Sequence, residues 1–238
     1  MQSIKFQISM SVNYKLPEII KFLEKVRKNN NREWFAKHKD EYLANHEMMI
    51  DFADNVLLGM QNLDDIETVS GKKSLYRIYR DVRFSKNKIP YNTHFGGGLK
   101  RATQNLRGGY YYHIEKGNSF VAGGFWGPNA ADIKHIRQQI SADPEGLEKV
   151  LHKKSIKETF GGLVGNQLKT VPRGFDIEDQ AIELLRYKQL ILTKRFDDKE
   201  ILNANFHTEV VKTFGKMRPF LDYMSDILTT NLNGEMIH

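Results

Sequence analysis

Apolar residues fall at helical spacing near both ends of the chain and at alternating spacing in its middle. Leu16, Ile19, Ile20, Leu23 and Val26 recur every three or four residues, which is one face of an α-helix. Pro17 sits in the first turn, where a missing N–H is tolerated. Asn29, Asn30 and Asn31 punctuate the run, and Asn31 is placed to cap a second helix over residues 32–60. Trp34, Phe35, His38, Tyr42, Met49, Phe52, Ala53, Val56 and Leu57 supply its apolar stripe. Residues 62–71 are polar and read as a connection.

From Leu75 the chain turns β-branched and aromatic. Residues 110–115 and 119–126 flank Lys116-Gly117-Asn118, a hairpin signal. Residues 128–140 return to helical spacing. Asp143-Pro144 opens a further helix that extends to Phe160, where Gly161, Gly162 and Gly165 break it. Residues 168–175 read as extended, 177–185 as a helix and 190–196 as a strand. Asp197-Asp198 caps a last helix over 199–228, which Pro219 is expected to kink or split. Helices first and last with strands between them predict an α+β fold: a central, mostly antiparallel sheet flanked by long N- and C-terminal helices. No linker rich in proline, glycine and serine divides the 238 residues, so a single domain over 1–238 is expected.

Composition narrows the chemistry. Hydrophobic residues make up 40% and charged residues 27%, a globular balance. There is no cysteine, which excludes disulfides, thiolate metal sites and a cysteine nucleophile. No apolar run approaches the roughly 20 residues that span a bilayer. Residues 1–14 alternate polar and apolar positions and lack the apolar core of a signal peptide. The expectation is a soluble cytoplasmic chain with no membrane partner. The sequence carries no signal of oligomeric state.

Charge is unevenly distributed. Residues 72–101 hold nine bases (Lys72, Lys73, Arg77, Arg80, Arg83, Lys86, Lys88, Lys100, Arg101) and one acid, Asp81. That segment carries +8, and the rest of the +7 chain carries −1. A strand over 75–84 would place Tyr76, Ile78, Arg80, Val82 and Phe84 on one face and Arg77, Tyr79, Asp81 and Arg83 on the other. Arg80 in an apolar layer needs an anion beside it. A helix would instead line up Arg77, Arg80 and Arg83; the aromatic and β-branched content favours the strand. Guanidinium groups bind phosphate or carboxylate through paired hydrogen bonds. Ser85-Lys86-Asn87-Lys88-Ile89-Pro90-Tyr91 reads as a loop. Gly96-Gly97-Gly98 reads as a flexible turn, since neither a phosphate loop nor a GxGxxG fingerprint surrounds it.

The run Arg77-x-x-Arg80-Asp81-x-Arg83-Phe84-x-x-Asn87-Lys88-x-x-Tyr91 resembles the signature of the "domain of unknown function 2461" family of conserved hypothetical proteins. Asn30-Asn31-Arg32-Glu33-Trp34-Phe35, Gly123-Gly124-Phe125-Trp126 and Leu184-Leu185-Arg186-Tyr187-Lys188 extend the likeness along nearly the whole chain. The resemblance implies a single-domain bacterial-type protein and singles out the motif residues; it implies no activity.

Three functional readings stay open. In the first, Arg77, Arg80, Arg83, Lys88 and Tyr91 bind a small phosphate- or carboxylate-bearing ligand, supported by Asp81, Phe84, Asn87, Lys86, Arg186 and Lys188. In the second, the basic 72–101 segment binds nucleic acid. In the third, Arg77, Asp81 and Arg83 form a structural salt-bridge network with no ligand. Glu33 and Asp81 are candidate acids for orienting the arginines. His38, His94 and His113 stand at no metal-ligand spacing, so no metal is expected, and no cofactor motif is present. His113, in a strand, is a candidate for the cleft of the arginines. Ser85 has no base at an interpretable spacing, so the sequence assigns no reaction and no catalytic residue.

Overall fold

The computed structural model describes residues 12–237. The alternation read over the first residues falls largely on residues 1–11, outside the described residues. The N-terminal helices are α1 (Leu16–Lys28), α2 (Arg32–Lys37), α3 (Lys39–Gln61) and the single turn α4 (Gly71–Ser74). Strands β1 (Phe95–Lys100), β2 (Gly109–Ile114) and β3 (Phe120–Phe125) follow. Then come α5 (Ala130–Ala142), α6 (Pro144–Leu151), α7 (Lys154–Phe160), α8 (Ile182–Leu185), β4 (Leu190–Arg195), α9 (Asp198–Ile201) and α10 (Phe206–Thr229). The strands form one antiparallel sheet in the order β1-β2-β3-β4. The α+β architecture is the one the hydrophobic pattern predicts. Among the described residues no helix is long and apolar enough to cross a membrane.

Element boundaries differ from expectation where a side chain intervenes. Asn31 does cap α2, its Oδ1 accepting the Trp34 N–H at 2.9 Å. The helix expected over 32–60 breaks at His38, whose ring donates to the Trp34 carbonyl (2.8 Å) and stacks on the Trp34 indole (4.0 Å between centroids). The helix expected over 143–160 divides into α6 and α7. Asp197 caps only the short α9, through a reciprocal capping box with Glu200, and the long helix begins at Phe206. Pro219 lies inside α10 without splitting it. Phe214, Met217, Phe220 and Leu221 are fully buried around it, and tertiary packing outweighs the lost hydrogen bond.

Gly96-Gly97-Gly98 is not a turn but the middle of β1. The missing side chains make room for tyrosines. A Cβ on Gly97 would stand 2.2 Å from the Tyr112 hydroxyl, and one on Gly96 or Gly98 would stand 2.7 Å from the hydroxyl of Tyr111 or Tyr76. Glycine therefore permits a strand here that its low β-propensity disfavours.

The sheet has two distinct faces. Tyr110 and Tyr112 of β2 point toward the helices, where Tyr110 meets Phe214 of α10 (5.0 Å) and Tyr112 meets Phe52 of α3 (5.6 Å). Buried apolar side chains from this face and the helices form one connected cluster. Tyr111 and His113, one residue out of phase, point the other way.

One charged group is set into the helix side. Arg101, just past β1, is 1% exposed. Its Nε donates to Asp64 Oδ2 at 2.7 Å, its Nη1 to Ser225 Oγ at 3.1 Å, and its Nη2 to Asp64 (3.2 Å) and to Asp222. The Tyr110 hydroxyl donates to the same Asp64 at 2.6 Å. Burial alone would lower the Arg101 pKa, but these carboxylates raise it and keep the group charged. Removing one partner of such a pair strands a buried charge. Asp64→Leu or Arg101→Met should therefore lower unfolding free energy by about 3–5 kcal/mol in chemical denaturation, and the double variant should recover a large part of the loss.

Burial also raises the pKa values of Tyr110 and Tyr112 above the ordinary 10.0, with Asp64 adding to the rise at Tyr110 and Ser74 opposing it at Tyr112. The folded state keeps these protons while the unfolded chain gives them up near pH 10. Their contribution is intact below pH 10 and is lost as pH rises above it. Denaturation midpoints should hold to about pH 9 and fall beyond pH 10, with a shallower fall in Tyr110→Phe.

Candidate functional site

Residues 75–92 form neither the regular strand nor the helix that the sequence allowed. They make a narrow arm held by isolated bridges. Leu75 pairs with Gly97 of β1, and Tyr79 pairs with Tyr91. The Arg80 N–H donates to the Pro90 carbonyl (2.9 Å) and the Asn92 N–H to the Ile78 carbonyl (2.7 Å). The base is pinned from two sides. Tyr91 is buried and stacks on Phe35 of α2 at 3.9 Å. The Asn30 side chain clamps the Tyr91 backbone, donating to its carbonyl (3.0 Å) and accepting its N–H (3.1 Å). Asn30, Phe35 and Tyr91 thus form a single joint.

The expected apolar face does not form. Ile78 is buried, but Tyr76 is 59% exposed and Phe84 95% exposed. The arm leaves the sheet after Leu75, so alternation no longer selects a buried side. Each motif cation has its own local environment. Arg83 forms a paired contact with Asp81 (2.7 Å) that is fully exposed at the tip. Lys88 donates to the Val82 carbonyl (2.9 Å), and Asn87 Oδ1 accepts the Ile89 N–H (3.0 Å). Arg77 and Lys86 are exposed. Tyr91 packs its ring on Phe35 and anchors the arm. Arg186 pairs with Glu183 (2.6 Å) beside α8, and Lys188 is exposed next to it. Glu33 bonds Lys37 on the surface of α2. The Asp81–Arg83 pair spans two residues at an exposed tip, where such pairs contribute little. The charge network that ties elements together is at Arg101, a residue the sequence placed in the basic run. Lys100 is likewise paired, with Glu67 at 2.8 Å.

Arg80 differs from the other motif cations in its burial. It is half-buried, and its guanidinium donates to the Ile89 carbonyl (3.2 Å) rather than to a carboxylate. Its positive charge acts on His94, which stands just before β1. The register Gly96↔His113 and Phe95↔Ile114 brings His94 beside His113, with ring centroids 4.0 Å apart. His113 in turn stacks on Phe120 of β3 at 4.7 Å.

A hydrogen-bonded chain runs through this cluster. The Tyr111 hydroxyl meets His113 Nδ1 (2.9 Å), and His113 Nε2 meets Glu115 Oε2 (3.2 Å). Thr93 donates to Glu115 Oε1 (2.8 Å) and Asn118 to Oε2 (2.8 Å). Arg195 of β4 donates to Asn118 Oδ1 (2.6 Å) and lies over the Phe120 ring (5.8 Å). Burial and the neighbouring His113, with Arg80 adding to them, hold the His94 pKa down to about 4. Burial lowers His113 as well, against the pull of Glu115. Burial would raise the Glu115 carboxyl, but hydrogen bonds from Asn118, Thr93 and His113 outweigh it and hold it low. Burial, with Tyr76 and Glu115, pushes Tyr111 up to about 12. At neutral pH the cluster is two neutral imidazoles, one carboxylate and one phenol, an acid–base and ligating set. In the sequence both His94 and His113 stand out as imidazoles, and only His113 as a candidate for the cleft of the arginines. The signal for the rest was available: Tyr111, His113 and Glu115 stand at i, i+2 and i+4, one face of the hairpin strand. His94 and Arg195 needed the register.

Next to the cluster lies a cleft of about 450 Å³ floored by Gly98, Gly109 and Gly124 and walled by Tyr76 and Trp126. Both wall rings contact Tyr111. Gly124 holds φ at +145, and a Cβ there would stand 2.2 Å from the Leu190 carbonyl oxygen. The cations of this cleft are already neutralised: Arg107 pairs with Asp132 (2.5 Å) and Lys100 with Glu67.

A one-sided antiparallel sheet, packed on helices and faced by a basic arm over a His/Glu cluster, defines the class. The family described as "Conserved hypothetical protein (DUF2461)" matches residues 18–223, and the chain belongs to it. No curated protein and no solved structure matches the chain.

The Asn30 clamp sets how firmly the arm sits. Asn30→Ala should expose the Tyr91 backbone pair and cost about 1–2 kcal/mol locally. In hydrogen exchange, the Arg80 and Asn92 amides should exchange faster while the β2 amides keep their protection.

Proposed function

We propose that the chain binds a small phosphate- or carboxylate-bearing ligand where the arm meets the open face of the sheet. The observation that carries this reading is the state of two guanidinium groups, Arg80 beside His94 and Arg195 beside the Phe120–His113 stack. Each donates to a neutral oxygen, Ile89 carbonyl or Asn118 Oδ1, and among the described residues neither pairs with a carboxylate. Arg101, Arg107, Arg83 and Lys100 all have one. A cation already paired offers little to a ligand, whereas one bonded to a neutral acceptor retains its charge for an anion. The aromatic rings of Tyr76, Tyr111 and Phe120 lower the local dielectric and strengthen that attraction. Lys86, Lys88 and Arg77 on the arm add a longer-ranged field that raises the rate of encounter.

Isothermal titration with inorganic phosphate, nucleoside monophosphates and dicarboxylates, in chelator-containing low-salt buffer, tests this. At least one ligand class should bind wild type. Arg80→Ala and Arg195→Ala should each weaken it about tenfold, a loss of about 1.4 kcal/mol. Arg83→Ala should leave it unchanged, because Asp81 already occupies that group. Equal binding by wild type and both variants would reject the reading. So would preferential binding of single- or double-stranded DNA with a steep salt dependence.

A further inference from the structure

We propose that His94, His113 and Glu115 form a binding site for one divalent transition-metal ion, with zinc the best match. The proposal does not rest on the anion reading, because it concerns the metal alone. One ligating atom from each residue lies within 4.8 Å of the others. In the tetrahedral geometry of zinc, metal–nitrogen and metal–oxygen bonds of about 2.0–2.2 Å set two donors about 3.4 Å apart. The His113 Nε2 to Glu115 Oε2 separation of 3.2 Å is already close to that spacing. A turn of the His94 ring that brings its nitrogen closer by up to about 1.4 Å supplies the third donor.

The neighbours orient these donors as metal ligands require. Tyr111 Oη lies 2.9 Å from His113 Nδ1 and can hold that nitrogen as the N–H tautomer, leaving the Nε2 lone pair for a metal. Thr93 and Asn118 fix the two carboxylate oxygens of Glu115. A purely structural account covers His113, which could simply donate to Glu115. It does not cover His94. Among the described residues the His94 ring nitrogens make no hydrogen bond, yet the ring is half-buried and faces a second imidazole. A cation shared between the two imidazoles and the carboxylate would account for all three. Two nitrogens and one oxygen form a borderline donor set suited to zinc or another divalent first-row ion, and the lack of thiolate disfavours soft Cu(I). Three protein donors leave a position open to solvent or a ligand.

The full chain, stripped with chelator and exchanged into phosphate-free buffer, is titrated with ZnCl2 by calorimetry and with CoCl2 by visible absorption. One equivalent should bind, and cobalt should give the intense d–d bands of a four- or five-coordinate ion. His94→Ala and Glu115→Gln should each cut zinc affinity at least about tenfold. Glu115→Gln keeps the side chain's shape and its acceptor oxygen, so loss of binding there is not loss of fold; circular dichroism and the thermal midpoint of the metal-free variant check this. His152→Ala, at an exposed histidine, should bind as wild type does. Absence of stoichiometric binding to wild type would overturn the proposal, as would zinc binding unchanged in both His94→Ala and Glu115→Gln.

Discussion

The buried Arg101–Asp64 contact is the constraint on which the arrangement of elements depends. A guanidinium taken fully out of water is tolerable only when its donors are met, and here they are met from three directions. Asp64 follows α3, Asp222 and Ser225 sit on α10, and Arg101 itself ends β1. The Tyr110 hydroxyl on the same carboxylate adds β2. No element in that group can slide without leaving a charge or a phenol unpaired. Hydrophobic packing alone tolerates small shifts, whereas a forked, hydrogen-bonded cation fixes distance and angle together. The interaction therefore specifies where the sheet sits on the helices more than it adds to net stability.

That fixing has a consequence on the opposite face. Side chains alternate along a strand, so pinning Tyr110 and Tyr112 inward commits Tyr111 and His113 outward, and a slip of one residue would exchange the two sets. The glycines of β1 belong to the same logic. They accommodate Tyr112 on one side and Tyr111 and Tyr76 on the other. A strand bearing side chains at 96–98 would push β2 away from both. The outer cluster is thus set by inner packing, and its short hydrogen bonds to Tyr111, Thr93 and Asn118 refine a geometry that the sheet register has already chosen.

The sequence disclosed periodicity well and pairing poorly, for one physical reason. Helices α1, α5 and α10 and the β2–β3 hairpin are local, and 3.6- and 2-residue repeats reveal them. Arg101 and Arg80 look alike in a charge count, yet one is sealed in the core and the other stands at an open face. Their partners, Asp64 and Asp222 in one case and a backbone carbonyl in the other, are nonlocal or carry no side-chain signal. Gly96-Gly97-Gly98 misleads for the same reason: the large residue that each glycine makes room for is elsewhere in the chain. Within the candidate site, Tyr111, His113 and Glu115 were visible as an alternating triplet. His94, Thr93 and Arg195 join them only across strands.

The division of cations by partner also sorts the charges by their surroundings. Exposed charges at the arm tip act through water and salt, which screen them within about 10 Å at 0.1 M ionic strength. Arg83 spends its directionality on Asp81, and Lys88 on two backbone carbonyls. Arg80 is instead half-buried beside the neutral His94, where the field of a single charge reaches further, while Arg195 is exposed over the Phe120 ring. Arg80 disfavours protonation of His94 and Arg195 that of His113, and among the described residues neither arginine forms an ion pair with a carboxylate. A structural role would be served better by an acid near Arg80, as Asp64 serves Arg101. Among the described residues Arg80 has no such acid, while Asn30, Phe35 and Tyr91 hold the arm that carries it. That joint holds a half-buried cation beside a neutral imidazole, a placement set by the stacking of Tyr91 on Phe35 and by the Asn30 clamp.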